Sequence, residues 1–372
     1  MFKLHVVQAE YGDCLIVESG TTTQPRYILI DGGPSTTYER HLRGELQAIA
    51  ASGGSLELAI LSHVDKDHVT GLLDLTAELR QQRADGEEGI VAINTLWHNA
   101  FEDTIGSGND IEVRLQAAIS AAGAASQALT STGMATQGIG EGRQLRRDAL
   151  LLQIPINPEF GGASISVEDA PPSIQMDNLT LRVVGPTQKN LQELRDEWQE
   201  WLDTHADDIV SGDPLLAAMA DRSTPNLSSI MLLAEADGKT LLLTGDGRGD
   251  HLLEGLEQAG LLDAEGKLHV DVFKVPHHGS DRNATRKFFE TVTANQYVIS
   301  ANGRHNNPDL ATLIWIVEAA KEQQRTVEIL VTNETTASRK LVEEYDPDEY
   351  GYELTTMGED AHSMVIELAA GA

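Results

Sequence analysis

The sequence predicts an α/β fold. Short β-rich apolar runs recur along the chain, stretches of helical spacing separate them, and several runs end in a glycine beside acidic residues or histidines. With 372 residues, 41% of them hydrophobic, the chain can bury one large core or two ordinary ones.

The elements follow in order. FKLHVVQAEYGDCLIVES reads as two strands broken at Tyr11-Gly12-Asp13, and RYILIDGG adds a third that ends in Asp31-Gly32-Gly33. Residues 38–51 have helical spacing, LELAILS reads as a buried strand, and VTGLLDLTAELRQQR reads as an amphipathic helix. The motif SHVDKDH, residues 62–68, therefore falls on a strand-to-helix loop. A further strand lies within IVAINTLWHNAF. Between residues 102 and 178 Gly, Ser, Ala and Thr crowd the chain, and most of this stretch reads as an insertion. It carries two helical segments, IEVRLQAAISAAGAASQAL and EGRQLRRDALLLQ, expected to pack on their own domain rather than face a partner protein. The strand LTLRVVGP precedes a polar helix, LQELRDEWQEWLDTHADD, and SSIMLLAEA, DGKT and LLLTGD form a hairpin signature. HVDVFKVPHH, QYVISANG, TVEILVTN and SMVIELAA are further strands, separated by helices such as ATLIWIVEAAKEQQ. The acidic stretch VEEYDPDEYGYELTTMGED reads as a solvated face.

Composition narrows the function classes. Against 58 acidic residues stand 27 basic ones, a formal net charge of -31 that repels phosphate backbones and disfavours coating of a long duplex. Metal ions in a cleft can invert that field locally. Cys14, the single cysteine, excludes an internal disulfide and fits a reducing compartment. No apolar run approaches the roughly 18 residues of a membrane span, so a cytoplasmic protein without membrane contact is expected.

Chemistry concentrates at three strand ends. His63, Asp65, Asp67 and His68 crowd four ligand-type side chains into six residues, and imidazole with carboxylate suits zinc, manganese or iron. Asp246 follows Thr244-Gly245 at the end of LLLTGD, where a carboxylate can bridge two metal ions. His277 and His278 end HVDVFKVPHH before Gly279 and Ser280. On extended backbone neighbouring side chains point to opposite sides, which leaves one of the pair for a given metal and the other for substrate. Lys274 reads as strand decoration and His305 as a surface histidine.

The series VVQAEYGDCLIVE, LIDGG, SHVDKDH, NLSSIMLL, LLLTGD and FKVPHHGS, in that order, resembles the metallo-β-lactamase fold, in its ComEC-like, competence-related branch. The likeness covers about residues 2–368 apart from the insertion. It implies a four-layered αββα sandwich: a single domain over residues 1–372, with the helical insertion at 102–178 and a metal site along one edge of two packed sheets. By that resemblance His63 and Asp65 hold one metal ion, Asp67 and His68 the other, and Asp246 bridges them. The resemblance favours His278 as the last ligand of the second metal and His277 as a substrate contact, a choice that spacing alone leaves open. Asp13 and Asp31 would orient the ligand loops.

Two positions depart from the pattern. Asp65 stands where most members have a histidine, which raises manganese against zinc. Asn226, in PNLSS, stands where many have a histidine completing the first metal. The implied activity is hydrolysis of a phosphodiester, as a phosphodiesterase or nuclease. Two divalent ions, zinc or manganese, acidify a shared water; Asp67 orients it and His277 donates to the leaving group, with Lys274 and Ser280 as lesser candidates. A small or single-stranded phosphodiester suits the net charge. The alternatives are a lactone, thioester or amide hydrolase of the same fold, and a degenerate metal-binding module whose insertion contacts a partner protein.

Overall fold

Alternating apolar residues give β1 (Phe2–Val7) one fully buried face, and β2 (Leu15–Thr21) and β3 (Gln24–Ile30) continue the meander. These strands belong to a computed structural model that describes residues 1–99, 134–204 and 225–370. After β3 come α1 (Arg43–Ala51), β4 (Leu56–Leu61), α2 (Lys66–Asp85) and β5 (Leu96–His98). The chain goes on through α3 (Met134–Leu152), β6 (Ile174–Met176), β7 (Leu179–Gly185) and α4 (Gln188–Thr204). β8 (Met231–Ala236) and β9 (Lys239–Leu243) form the hairpin, turned at Asp237-Gly238 with positive φ at both residues. The last part contains α5 (Gly249–Gln258), β10 (Leu268–Lys274), α6 (Arg286–Thr291), β11 (Val292–Ile299) and α7 (Leu310–Glu322). β12 (Val327–Val331), α8 (Thr336–Glu344), α9 (Pro347–Tyr350), β13 (Tyr352–Thr356) and β14 (Ser363–Ala369) complete it.

The strands form two mixed sheets. The first, in the order β14-β1-β2-β3-β4-β5, is antiparallel as far as β3 and parallel from β3 to β5. The second, β13-β12-β11-β10-β9-β8-β7-β6, is parallel from β13 to β9 and antiparallel beyond. Phe2, Leu4, Val17 and Ile60 of one sheet share a core with Leu181, Leu232, Leu243 and Val272 of the other. A second core seats Leu46 of α1, Leu72 and Leu75 of α2 and Leu145 of α3 on the first sheet's outer face. A third seats Leu252 of α5, Phe289 of α6 and Ile316 of α7 on the second sheet. The architecture is thus an α/β sandwich, and the central parallel strand β4, covered on both faces, runs apolar almost without alternation.

Several elements differ from the sequence reading. Helix α2 starts at Lys66, so Asp67 and His68 occupy its first turn and only the front of SHVDKDH is loop. The acidic stretch near residue 350 is not all solvated face: Tyr352 is buried and β13 pairs in parallel with β12 as the sheet's edge strand. Of residues 102–178, the segment IEVRLQAAISAAGAASQAL lies outside the described residues. The described part packs into the domain: Arg80 of α2 pairs with Asp148 of α3 at 2.7 Å, and β6 is the outer strand of the second sheet. Among the described residues no helix is long and apolar enough to cross a membrane.

Candidate metal centre

The site lies at the carboxyl ends of β3, β4, β9, β10 and β11, where loops of both sheets meet, and the Ile230 amide donates to the Ser62 carbonyl across them at 2.9 Å. Helix α2 rests directly on the turn after β3. A Cβ at Gly71 would stand 1.9 Å from the Gly32 carbonyl oxygen, so only glycine admits this approach. The Gly32 amide donates to the His68 carbonyl at 2.7 Å and the Gly71 amide to that of Gly33 at 3.1 Å. His68 is thereby set beside the carboxylate of Asp31.

Asp31 then fixes two imidazoles. Its Oδ1 accepts from the Ser62 amide at 2.7 Å, and its Oδ2 accepts from the Ser62 hydroxyl at 2.7 Å and from His68 Nδ1 at 2.8 Å. With its proton committed to Asp31, the Ser62 hydroxyl accepts from His63 Nδ1 at 3.0 Å. Both rings therefore carry the proton on Nδ1 and turn the Nε2 lone pair inward.

The histidine pair reaches the same place from a turn, not from extended backbone. His277 and His278 both adopt left-handed φ, 49° and 55°, and both direct Nε2 towards Asp246, so the alternation argued for extended chain does not apply. His278 Nδ1 donates to the Ser300 carbonyl at 3.0 Å. His277 Nδ1 donates to Asn283 Oδ1 at 2.6 Å, and the Asn283 amide donates to the Asp246 carbonyl at 3.0 Å.

Asp246 divides the cluster. Its Oδ1 lies 3.3 Å from His68 Nε2 and 3.5 Å from His278 Nε2, which is also 3.5 Å from Asp67 Oδ2. Its Oδ2 lies 3.7 Å from His63 Nε2 and 3.7 Å from His277 Nε2. His63 Nε2 is 3.4 Å from Asp65 Oδ2. His63 Nε2, His68 Nε2, His278 Nε2 and Asp246 Oδ1 are buried without a hydrogen-bond partner. Such orphaned atoms are costly unless something binds them, and donors of this kind suit a metal ion. Ligand atoms of His63, His68 and Asp246 lie within 4.8 Å of one another, as do those of Asp67, His68 and His278. Buried histidine and aspartate groups that can hold a metal ion are therefore present.

Charge couples the buried groups. Burial alone would push the His278 imidazole down, but Asp246 and Asp13 beside it push it up to about 10. His68 is likewise raised, against burial, by Asp246, Asp31 and Asp67. Burial favours a neutral Asp246, yet the facing His278, His68 and His277 hold its carboxyl well below the usual range.

The remaining sequence candidates take varied places. Lys274 does not decorate the strand: it is fully buried, with Nζ 2.5 Å from Asp13 Oδ2, behind His278. Asp13 Oδ1 is 3.4 Å from His278 Nδ1, and Lys274 and His278 hold the Asp13 carboxyl low despite its burial. The Asp65 side chain, 37% exposed, sits at the margin. Asn226 is buried against His277, its Nδ2 3.3 Å from Nδ1. Ser280 is buried in the turn after the pair, and His305 lies exposed on a neighbouring loop.

Sequence reasoning missed Ser62, Asn283 and Ser300. Ser62 heads the quoted motif and was legible as a neighbour; the other two depend on contacts between distant segments. It also missed Glu141 of α3, whose carboxyl burial pushes up to about 7 and which faces Lys66 and Asp65. No protein-family model matches the chain, and a search of curated proteins finds no matching relative.

Proposed function

We propose that the chain is a metal-dependent hydrolase of the metallo-β-lactamase fold that cleaves phosphodiesters, small or single-stranded ones before duplex DNA. The observation that carries this reading is the set of buried, unpartnered Nε2 atoms gathered around one carboxylate, Asp246. His68, Asp67, His278 and Asp246 Oδ1 would hold one divalent ion; His63, Asp65, His277 and Asp246 Oδ2 would hold a second. Bound there, manganese or zinc would supply Lewis acidity and lower the pKa of a shared water. Asp65 adds oxygen to the second set and favours manganese.

The protein's own groups do the rest. Asp31 and Ser62 keep the His63 and His68 rings in one tautomer, and Asp13 and Ser300 hold His278. Asp67, partly open to solvent, orients the attacking water through its carboxylate. His277 is the most open of the cluster's histidines, with 27% of its side chain exposed, and its Nε2 is placed to meet substrate as well as metal. The net charge of -31 weighs against a long duplex. A cytoplasmic setting rests on Cys14 being the only cysteine.

The test is turnover of bis(p-nitrophenyl) phosphate by purified protein loaded with manganese or zinc, beside a lactone substrate. Phosphodiester cleavage that EDTA abolishes and added metal restores is the expected result. Lactone turnover without phosphodiester cleavage would sink the phosphodiesterase reading and leave a hydrolase of another class.

A further inference from the structure

Some of the chain's arginines, such as Arg26 and Arg248, are tied to a carboxylate. Arg304 is exposed and, among the described residues, has none within ion-pairing distance; its Cζ lies 3.9 Å over the ring of Tyr11 instead. His305 meets the same ring edge-on, with centroids 6.3 Å apart. A guanidinium stacked on an aromatic face keeps its planar fork of N–H groups free for an anion.

The loop carrying it is held in an unusual shape. Gly303, His305 and Asn306 all have positive φ, as does Glu10 next to Tyr11. Non-glycine residues enter that region at a cost, and they persist where surrounding bonds over-determine them. Here Asn302 is the clamp: its amide donates to Glu10 Oε2 at 2.9 Å and its Oδ1 accepts from the Arg304 amide at 3.0 Å.

Both segments are tied to the Oδ1 side of the metal cluster. Tyr11 stands two residues before Asp13, and Arg304 four residues after Ser300. The Ser300 hydroxyl donates to the Gly12 carbonyl at 2.5 Å, while the Ser300 carbonyl accepts from His278. The Asp13 amide donates to the Asp67 carbonyl at 3.2 Å, and the Asp309 amide to that of Gly279 at 3.0 Å. Two residues span at most about 7 Å, so Tyr11, with the guanidinium stacked on it, sits on the segment that brings Asp13 to His278.

We propose that Tyr11, Arg304 and His305 form a subsite for a second phosphate of the substrate, next to the phosphodiester that is cleaved. The proposal rests on the phosphodiesterase reading and narrows it: the substrate is a chain of at least two phosphates, such as a 5′-phosphorylated dinucleotide, rather than an isolated diester. Arg304 takes the phosphate in the plane of its fork, Tyr11 keeps that plane in place, and His305 offers a further donor.

The test compares the dinucleotides TpT and pTpT, which differ by one terminal phosphate. Dissociation constants are measured with the full chain in EDTA, where no metal can hold the added phosphate. The wild type is expected to bind pTpT about tenfold more tightly than TpT, as a charge-assisted contact would provide. R304Q is expected to lose that preference, and K267Q, at the opposite end of β10, to keep it. Equal binding of the two by the wild type, or an undiminished preference in R304Q, overturns the subsite. Turnover of bis(p-nitrophenyl) phosphate by manganese-loaded wild type judges the parent reading separately. No turnover with the preference intact means an anion subsite on a protein that is not a phosphodiesterase; turnover with no preference removes the subsite alone.

Discussion

On the Oδ1 side of Asp246 stand His68 and His278, both buried, each with Nδ1 committed to an acceptor and each backed by a further carboxylate, Asp31 or Asp13. On the Oδ2 side stand His63, equally buried, but with it the part-exposed His277 and Asp65, and Asn226 where the resemblance would put a further histidine. Outer hydrogen bonds hold the histidines on both sides, and what differs is that a buried carboxylate lies directly against each imidazole on the Oδ1 side while His277 and Asp65 stay part-exposed on the other. Ligands backed by a buried carboxylate bind metal more tightly than ones left open to solvent. The comparison therefore teaches that the two positions should fill unequally, the Oδ1 side first.

Asp246→Ala removes what the two sides share, and its effect should be the largest. Phosphodiesterase turnover is expected to fall about a thousandfold or more, with metal content reduced on both sides, as read by mass spectrometry of the dialysed protein. A variant that lost one equivalent and kept the other would show that Asp246 does not join the sides.

Next comes the support behind the Oδ1 side. Lys274→Met leaves Asp13 buried without its cation, and removing one partner of such a pair costs about 3–5 kcal/mol. Thermal unfolding should show that loss, and the tighter metal equivalent should weaken while the looser one holds. Equal weakening of both would break the comparison, because Asp13 meets the cluster at His278 and, through its amide, at Asp67, both on the Oδ1 side.

The ligands themselves were legible because they are local. SHVDKDH crowds His63, Asp65, Asp67 and His68 at one strand end, which spacing makes conspicuous, whereas TGD and HHGS are short marks whose part in the same site rested on the resemblance as well as on their place at strand ends. What supports them was not legible. That Ser62 passes the influence of Asp31 to His63 depends on β3 pairing with β4, that His68 meets Asp31 depends on α2 resting on Gly32, and that Lys274 turns inward depends on where Asp13 arrives from the other sheet. The left-handed turn at His277 and His278 is likewise set by bonds to Gly245, Asn283 and Ser300. For the fold, the strand order within each sheet and the edge strand hidden in the acidic stretch near residue 350 follow from pairing between distant segments, which composition does not reveal.

A pH series probes the Oδ1 side by charge. Without metal the carboxylates around His278 keep it protonated up to about pH 10, and His68 is raised in the same direction. A cation needs the neutral ring, so it must displace these protons. Affinity on the Oδ1 side should then rise with pH through the neutral range, by about tenfold per pH unit for each proton released. Isothermal titration in two buffers of different ionisation enthalpy would read the release directly. Uptake of the tighter ion with no proton release would mean that it does not bind His278 or His68.

The mildest expected effect tests the loose side. Asn226 lies in a short turn just before β8, buried, with Oδ1 unpartnered and Nδ2 against His277 Nδ1. The side chain occupies ligand territory without a strong ligand atom, since an amide oxygen is a poor match for zinc beside imidazole. Asn226→His supplies the nitrogen that the Oδ2 side lacks. Zinc titration should then show the second equivalent binding about tenfold more tightly, with the first unchanged, because Asn226 meets the cluster at His277, on the Oδ2 side. Asn226→Asp, a smaller change in volume, should do the same for manganese in preference to zinc. If neither variant moves the second equivalent, the looseness lies in Asp65 and the exposed edge of His277 rather than in a missing ligand. An Asp65→His variant would then be the one to tighten it.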